Sequence, residues 1–317
     1  MKNIFINALQ DQPFVIADIG AAGGLHDRWS DLGSSIAPIL FEPEEEAYEN
    51  LIKVHQDNYI IIRKALYKEK ETITLYICRK AEVSSIYKPN MDFINNFYNP
   101  ERFEILGEDF LEADTLSNQL KQNDVKKLDF IKIDTQGSEL EILKGSENLF
   151  DDLIGIEVEV EFSELYIGQP LFSDVHNYIS NKGFTLYDIK RQYWKRRLHN
   201  GNIANKGQLI FGDALYIKSP EEIINNISLS TFDDRVTYIM KALYVYISYG
   251  LYDLAQQILS NSSELTSENK TQIKKYMSNK IKKNKYLYIK NNLKKLFKVF
   301  LLGKNYYYYS DNQLGKL

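Results

Sequence analysis

The sequence predicts an α/β fold: a mostly parallel sheet with helices on both faces, followed by a helical C-terminal region. Three observations carry that expectation. Up to about Ser219, short apolar runs alternate with amphipathic segments, the rhythm of strand–helix–strand units. The first run, Val15-Ile16-Ala17-Asp18-Ile19, contains an acid near its end and enters a small-residue turn, Gly20-Ala21-Ala22-Gly23-Gly24. Such a turn lets the backbone approach a ligand closely. The second run ends in another acid, Ile39-Leu40-Phe41-Glu42-Pro43, and a carboxylate at that strand tip is placed to accept hydrogen bonds from ribose hydroxyls.

Strands are expected at 14–19, 37–42, 59–65, 72–78, 129–134, 155–160, 184–189 and 208–218, where β-branched and aromatic residues cluster between turn signals. Helices are expected at 44–56, 139–149 and 173–182. The first begins after Pro43 with three acids in its opening turn, which suits the positive end of a helix dipole. The last stops at Asn181-Lys182-Gly183. Between Lys80 and Lys127 the pattern loosens into Asn-, Tyr- and Phe-rich sequence, read as a lid or insertion over the crevice. After Pro220 helical periodicity runs through 232–249, 251–259, 268–285 and 286–302, with no strand evident. Two regions are therefore expected, a nucleoside-binding domain over residues 1–219 and a Lys/Tyr-rich helical region over 220–317.

Composition narrows the class. The 317 residues carry a net charge of −4, but from Asn269 onward there are 13 Lys, no Arg and a single acid, Asp311. That basic stretch reads equally as a solvated tail or as a surface-binding one. A single cysteine, Cys78, excludes an internal disulfide framework and any multi-cysteine metal site. The opening residues turn polar too early for a secretory leader, and no uninterrupted apolar run could span a bilayer. A cytoplasmic protein is expected, at most peripheral to the inner face of the membrane.

The crevice chemistry points to a cofactor. Glycines at 20, 23 and 24 do not match the G-x-G-x-x-G spacing of dinucleotide folds. Asp18, two residues before the turn, repels a pyrophosphate and suits a cationic ligand. S-adenosyl-L-methionine, with a sulfonium, an ammonium and no phosphate, is favoured over NAD. A packing role for the glycine turn does not explain why acids end the first, second and fourth strands, where the crevice of such a sheet opens.

One segment is more specific. Lys132-Ile133-Asp134 continues into Gly137, Glu139, Leu143 and Gly145 with the spacing K-I-D-x-x-G-x-E-x-x-x-L-x-G. With Asp18-Ile19-Gly20-Ala21, Phe41-Glu42-Pro43, Ala65-Leu66 and Ser84-Ser85, this resembles the FkbM family of S-adenosylmethionine-dependent methyltransferases over roughly residues 14–190. The resemblance implies a Rossmann-like class I methyltransferase sheet of seven strands with an antiparallel last strand, and O-methylation, often of a sugar or polyketide hydroxyl. It implies cofactor contacts from Asp18, Gly20, Ala21, Gly23, Glu42, Pro43 and Ala65, and places Asp134 at the transfer site. The family often carries T-L-D where this chain has Asp114-Thr115-Leu116-Ser117, which makes Asp114 a possible substitute.

Methyl transfer to an alcohol needs in-line positioning and a place for the proton to go. Asp134 is the first candidate base, against a helix-capping role. In the run Glu157-Val158-Glu159-Val160-Glu161, three acids within a covered sheet are costly unless they reach the crevice or one another. Glu159 is therefore a second base candidate, and Glu157 a hydroxyl-binding one, against a solvated strand end. Ser85 and Gln136 are further substrate-side candidates. His26 could help position substrate, although a capping role is the commoner one. Tyr193, Trp194 and Arg196, in the connection before the last strand, suit a saccharide carrying phosphate or carboxylate, against a soluble hairpin rim. His55, His176 and His199 lack ligand spacing, and no metal is expected.

The reading is an O-methyltransferase acting on a small-molecule or glycan acceptor, with no nucleic-acid partner. The alternatives are an NAD-linked oxidoreductase and an inactive methyltransferase-like binding platform. The segment from Tyr286 to Leu302 could lie on an anionic membrane surface with its apolar stripe down, or dock on neighbouring helices.

Overall fold

The computed structural model describes residues 4–54, 59–197, 207–225, 231–302, 308–310 and 314, with the backbone alone for 286–302 and 308–309. Eleven strands are described: β1 (Phe14–Ile19), β2 (Ile36–Phe41), β3 (Ile60–Ile62), β4 (Ala65–Leu66), β5 (Glu71–Cys78), β6 (Ile105–Asp114), β7 (Phe130–Ile133), β8 (Gly155–Glu161), β9 (Thr185–Trp194), β10 (Gln208–Ile217) and β11 (Tyr308–Ser310). The helices are α1 (Ile4–Ala8), α2 (Glu45–Val54), α3 (Met91–Ile94), α4 (Leu116–Gln122), α5 (Glu139–Lys144), α6 (Phe172–Ser180), α7 (Pro220–Ile224), α8 (Phe232–Ser248), α9 (Tyr252–Asn261) and α10 (Ser267–Leu302).

The main sheet runs β11-β9-β10-β8-β7-β1-β2-β3. Strands β8, β7, β1, β2 and β3 are parallel, and β10 is antiparallel to both β8 and β9. Seven of these strands form the expected Rossmann-like sheet, with the late strand β10 reversed between β8 and β9. The eighth, β11, pairs antiparallel with β9, a strand in a stretch where none was expected.

Side chains alternate across each strand, so the sheet feeds two cores. On one face Phe14, Ile16, Phe130, Leu215 and Ile217 pack with Phe5, Trp29 and the buried side of α8 and α9, including Tyr244 and Ile258. On the other, Ile19, Phe41, Ile131, Ile133, Val158 and Val160 meet Leu140 and Leu143 of α5 and Val175 and Ile179 of α6. The helices after Pro220 therefore share a core with the sheet. Local chemistry sets the helix ends. The Glu44 carboxylate accepts from the amides of Glu46 and Ala47 at the start of α2, and Thr115 Oγ1 accepts from Asn118 N to open α4. The expected 139–149 helix stops at Gly145, where a Cβ would lie 2.5 Å from the Tyr67 carbonyl oxygen. A 3-10 turn, Glu147–Leu149, follows.

Three expectations need correction. The 59–65 run breaks after Ile62, and Ala65-Leu66 joins β6 in a second, three-stranded sheet, β4-β6-β5. The 72–78 run pairs with the same sheet as β5, not with the parallel one. Its partner β6 gave no strand signal because most of its residues are exposed; backbone pairing holds it without a buried apolar face to leave a period-two pattern. The expected helices 268–285 and 286–302 are one helix, α10. The apolar stripe proposed for 286–302 falls on side chains outside the described ones, as do His55 and His199. Among the described residues no helix is long and apolar enough to cross a membrane.

A buried ion pair ties α8 to the sheet. Lys241 Nζ lies 2.8 Å from Asp129 Oδ2, which also accepts from Val15 N at 2.7 Å. Burial pushes the Asp129 carboxyl up even beside that ammonium. Lys241→Met leaves this acid buried without its cation and should destabilise the fold by roughly 3 kcal/mol. The unfolded chain ionises Asp129 at the ordinary carboxylate value, so the deficit should widen as pH rises above it. Denaturant melts of Lys241→Met and of Asp129→Asn/Lys241→Met at several pH values check this; the double variant should lose the pH dependence.

Candidate active site

Parallel register assembles the site. Asp18 of β1 pairs with Lys132 of β7, and Lys132 pairs with Glu157 of β8. In-register residues of neighbouring strands point to one face, giving a carboxylate–ammonium–carboxylate row across three strands, level with the carboxyl ends of β1 and β7. Lys132 Nζ lies 3.2 Å from Asp18 Oδ1 and 3.8 Å from Asp134 Oδ2. Burial raises the Asp18 carboxyl to about 6, against the pull of Lys132. The surrounding carboxylates hold the Lys132 ammonium above the usual lysine range despite its burial. The Tyr249 hydroxyl, reaching in just after α8, donates to Glu157 Oε2.

The glycine turn sits directly on β7. Gly20 has φ +77°, and a Cβ there would fall 2.0 Å from the Asp134 carbonyl oxygen. Only glycine satisfies both demands. Gly20 N and Ala21 N both donate to the Phe41 carbonyl, which draws the turn toward the tip of β2. There Glu42 is buried, and its carboxylate accepts from Glu44 N at 3.0 Å. Burial raises its pKa while the amides of Glu44 and Ala22 oppose the rise. Gly23 faces open space, with no atom within 4 Å of where a Cβ would stand. Pro43 turns the chain after Glu42, its carbonyl accepting from Arg63 Nε. Asp18, Gly20, Ala21, Gly23, Glu42 and Pro43 thus lie together around the tips of β1 and β2. Ala65 pairs with Ala113 in the second sheet instead.

Beyond the crevice lies an acid-rich patch. The Asp134 side chain is 38% exposed. Glu159 and Glu161 are buried, and both carboxyls are pushed well above the ordinary value, first by burial and then by neighbouring acids including Asp134 and Glu139. Glu139 closes the turn after β7, accepting from Thr135 N at 2.7 Å and Gly137 N at 2.9 Å. Gln136 Nε2 donates to Glu159 Oε2 at 2.6 Å and lies 3.3 Å from Asp134 Oδ1. Ser85 is buried and donates to the Gln136 carbonyl at 2.6 Å. Asp213 of β10 is paired with Lys190 of β9 at 2.5 Å.

Several substrate-side candidates have other roles. Trp194 is 1% exposed: its ring stacks on Phe97 at 4.6 Å and its Nε1 donates to the Tyr98 carbonyl. No face is left for a sugar, which corrects the saccharide reading of this residue. Tyr193 is likewise buried in β9. Arg196 is exposed but donates to Gln208 Oε1 and lies over the Phe97 ring. His26 caps the 3-10 turn Asp27–Ser35, its Nδ1 accepting from Arg28 N. His176 stacks on Phe172. Asp114 braces the start of α4 beside its cap Thr115, accepting from Thr115 N, Asn118 Nδ2 and Gln119 Nε2. Sequence reasoning quoted Lys132 without giving it a role. Its alternation with Asp134 along the strand was the available signal. Tyr249, which reaches the site from 92 residues beyond Glu157, left none.

This donor set fits a phosphate-free cationic nucleoside: acids at both strand tips, and more acids than lysines among the described residues around them. Asp18 is protonated below about 6, whereas a cationic ligand selects its carboxylate. Affinity for S-adenosyl-L-methionine should therefore rise roughly tenfold from pH 5 to pH 6.5 and then level off. Calorimetric titration of the protein and of Asp18→Asn over that range checks this; the variant should bind more weakly, with the rise abolished.

The profile described as the methyltransferase FkbM domain matches residues 18–186, and no protein of curated function matches the chain. Among solved structures, the precorrin-6y C5,15-methyltransferase of Geobacter metallireducens GS-15 is 13% identical, with a TM-score of 0.34, covering 69% of this chain and 87% of its own. Magnesium protoporphyrin IX methyltransferase of Synechocystis PCC 6803, solved with bound cofactor, is 9% identical at a TM-score of 0.31, covering 68% and 76%. TrmK of M. capricolum, in complex with S-adenosyl-homocysteine, is 10% identical at 0.30, covering 87% and 97%. Likeness this remote says nothing about the acceptor. The family match spans more than half of the chain and begins on the acid of β1: the protein belongs to the FkbM methyltransferase family, an S-adenosyl-L-methionine-dependent enzyme.

Proposed function

We propose that this methyltransferase methylates a hydroxyl of a sugar or glycan precursor, with Asp134 as the general base. The observation that carries the reading is the Asp134 carboxylate itself, half-exposed at the end of β7 between Lys132 and Gln136. Bound S-adenosyl-L-methionine supplies an electrophilic methyl group. Asp18, Gly20, Ala21, Gly23 and Glu42 would hold it. Asp134 Oδ1 or Oδ2 takes the proton that the attacking hydroxyl sheds.

Glu159 does not share that role in this reading. Burial and its acidic neighbours push its carboxyl well above the ordinary value, and its Oε2 is already taken by the Gln136 amide. Carboxylates around the transfer site also set acceptor class. Hydroxyls of a neutral saccharide donate to them, whereas phosphate groups of a nucleic acid would meet like charge. Dinucleotide chemistry is not favoured, because a pyrophosphate at the glycine turn would face buried Asp18.

Asp134→Asn keeps shape but removes the base. The transfer rate should fall by about 10²–10⁴, while calorimetric affinity for the cofactor changes less than about threefold. Unchanged transfer would overturn the assignment of the base. Incubating the enzyme with methyl-labelled cofactor and extracted cell-surface glycans, with total RNA in parallel, should place label in the glycan fraction. Label confined to RNA would sink the proposed acceptor.

A further inference from the structure

We infer that Gln136 is a positioning residue for methyl transfer: its side-chain amide, anchored by Tyr166, bridges Glu159 and Asp134 and fixes the Asp134 carboxylate toward the acceptor. The inference rests on Asp134 being the base. Gln136 Nε2 has two hydrogens. One donates to Glu159 Oε2 at 2.6 Å, and the other points to Asp134 Oδ1 at 3.3 Å. The amide oxygen faces the Tyr166 hydroxyl at 3.1 Å. That hydroxyl also lies 3.0 Å from the Val83 carbonyl, and one hydrogen is shared between the two acceptors. Burial keeps the Tyr166 phenol protonated, so it remains a donor.

The backbone at this position is unusual. Gln136 has φ +59°, a left-handed conformation that disfavours a side chain with a Cβ by roughly 1–2 kcal/mol. Its neighbour Gly137 could have provided a left-handed turn unaided, with φ +110°. A glutamine held there by Ser85 Oγ on its carbonyl and Tyr166 on its side chain is over-determined by its surroundings, the pattern of strain kept at functional sites. The anchors come from different parts of the fold. Val83 and Ser85 belong to the connection between β5 and β6 of the second sheet, and Tyr166 to the loop after β8. The two anchoring segments are themselves bridged at Pro89 and Tyr166. Without the amide, the Asp134 carboxylate keeps, among the described residues, only Lys132, 3.8 Å away and 3.2 Å from Asp18, to restrain it.

The discriminating variant is Gln136→Gly, which relieves the left-handed backbone and so keeps the fold, but deletes the amide. It is compared with Gln136→Ala, Tyr166→Phe and the Gln136→Gly/Tyr166→Phe double variant in the full-length protein. The readouts are labelled-methyl transfer into the extracted glycan fraction, the glycan amount giving half-maximal rate, calorimetric affinity for the cofactor, and the Asp134 rotamer in crystals. Expected are a rate at least tenfold lower in both Gln136 variants, half-saturation within about threefold and cofactor affinity within about twofold of the parent. Asp134 should leave its single parental rotamer, and the double variant should be no slower than Gln136→Gly. Parental rate in Gln136→Gly, or raised half-saturation at unchanged maximal rate, overturns the inference; the second result would make Gln136 an acceptor contact. If Asp134→Asn is itself fully active, the base assignment fails. If Asp134→Asn is inactive while Gln136→Gly matches the parent, only the present inference fails.

Discussion

Parallel register is the constraint from which the site follows. Pairing Asp18 with Lys132 and Lys132 with Glu157 leaves three charged side chains on one face at the open end of the sheet. A slip of one residue would turn all of them into the opposite, apolar core. The apolar partners one step back, Ile16, Phe130 and Gly155, hold that register by burial. Gly155 admits the Phe130 ring, which would lie 2.7 Å from a Cβ there. Core packing and charge placement are therefore one problem with one solution. Lys132 offsets the repulsion that Asp18, Asp134 and Glu157 would otherwise impose on one another.

The parts of the fold that can be read from the chain are those whose side chains must be buried. β1, β8 and β10 sit within a residue of their expected limits because both faces are covered, leaving apolar runs with sharp ends. The glycine turn and the two acids of the crevice were legible for a related reason: Gly20 and Asp18 break the apolar pattern where a ligand would approach. β6 escaped notice because its exposed faces carry Glu108, Asp109 and Glu112 among apolar residues, which reads as loop. β11 consists of three residues defined by backbone pairing alone. Trp194 was misread because an aromatic between basic residues looks like a binding platform, whereas Phe97 and Phe103, about ninety residues earlier, enclose it.

The candidate site is likewise split between local and long-range information. Asp134, Gly137 and Glu139 fall within six residues, and their spacing is recoverable from the chain. Tyr166 and Tyr249 reach the same region by tertiary packing. Tyr249 shows why α8 matters to chemistry as well as to the core. The helix brings a buried phenol onto Glu157 and beneath the Arg28 guanidinium, 3.8 Å from the ring centroid. Arg28 in turn follows the glycine turn and donates to the Leu314 carbonyl. The floor of the crevice is thus contacted from the near end of the sequence and from its last described residue.

The two outermost strands of the main sheet, β3 and β11, are each three residues long. A long exposed border with free amides and carbonyls invites strand addition from another copy of the chain, and natural sheets commonly blunt it by shortening the final strand. β11 covers only residues 192–194 of the ten-residue β9, so a foreign strand meets a three-residue ladder at β3 and at β11, while residues 185–191 of β9 have no described strand beyond them. The border left for strand addition therefore lies away from the carboxyl ends of the parallel strands, where the site opens.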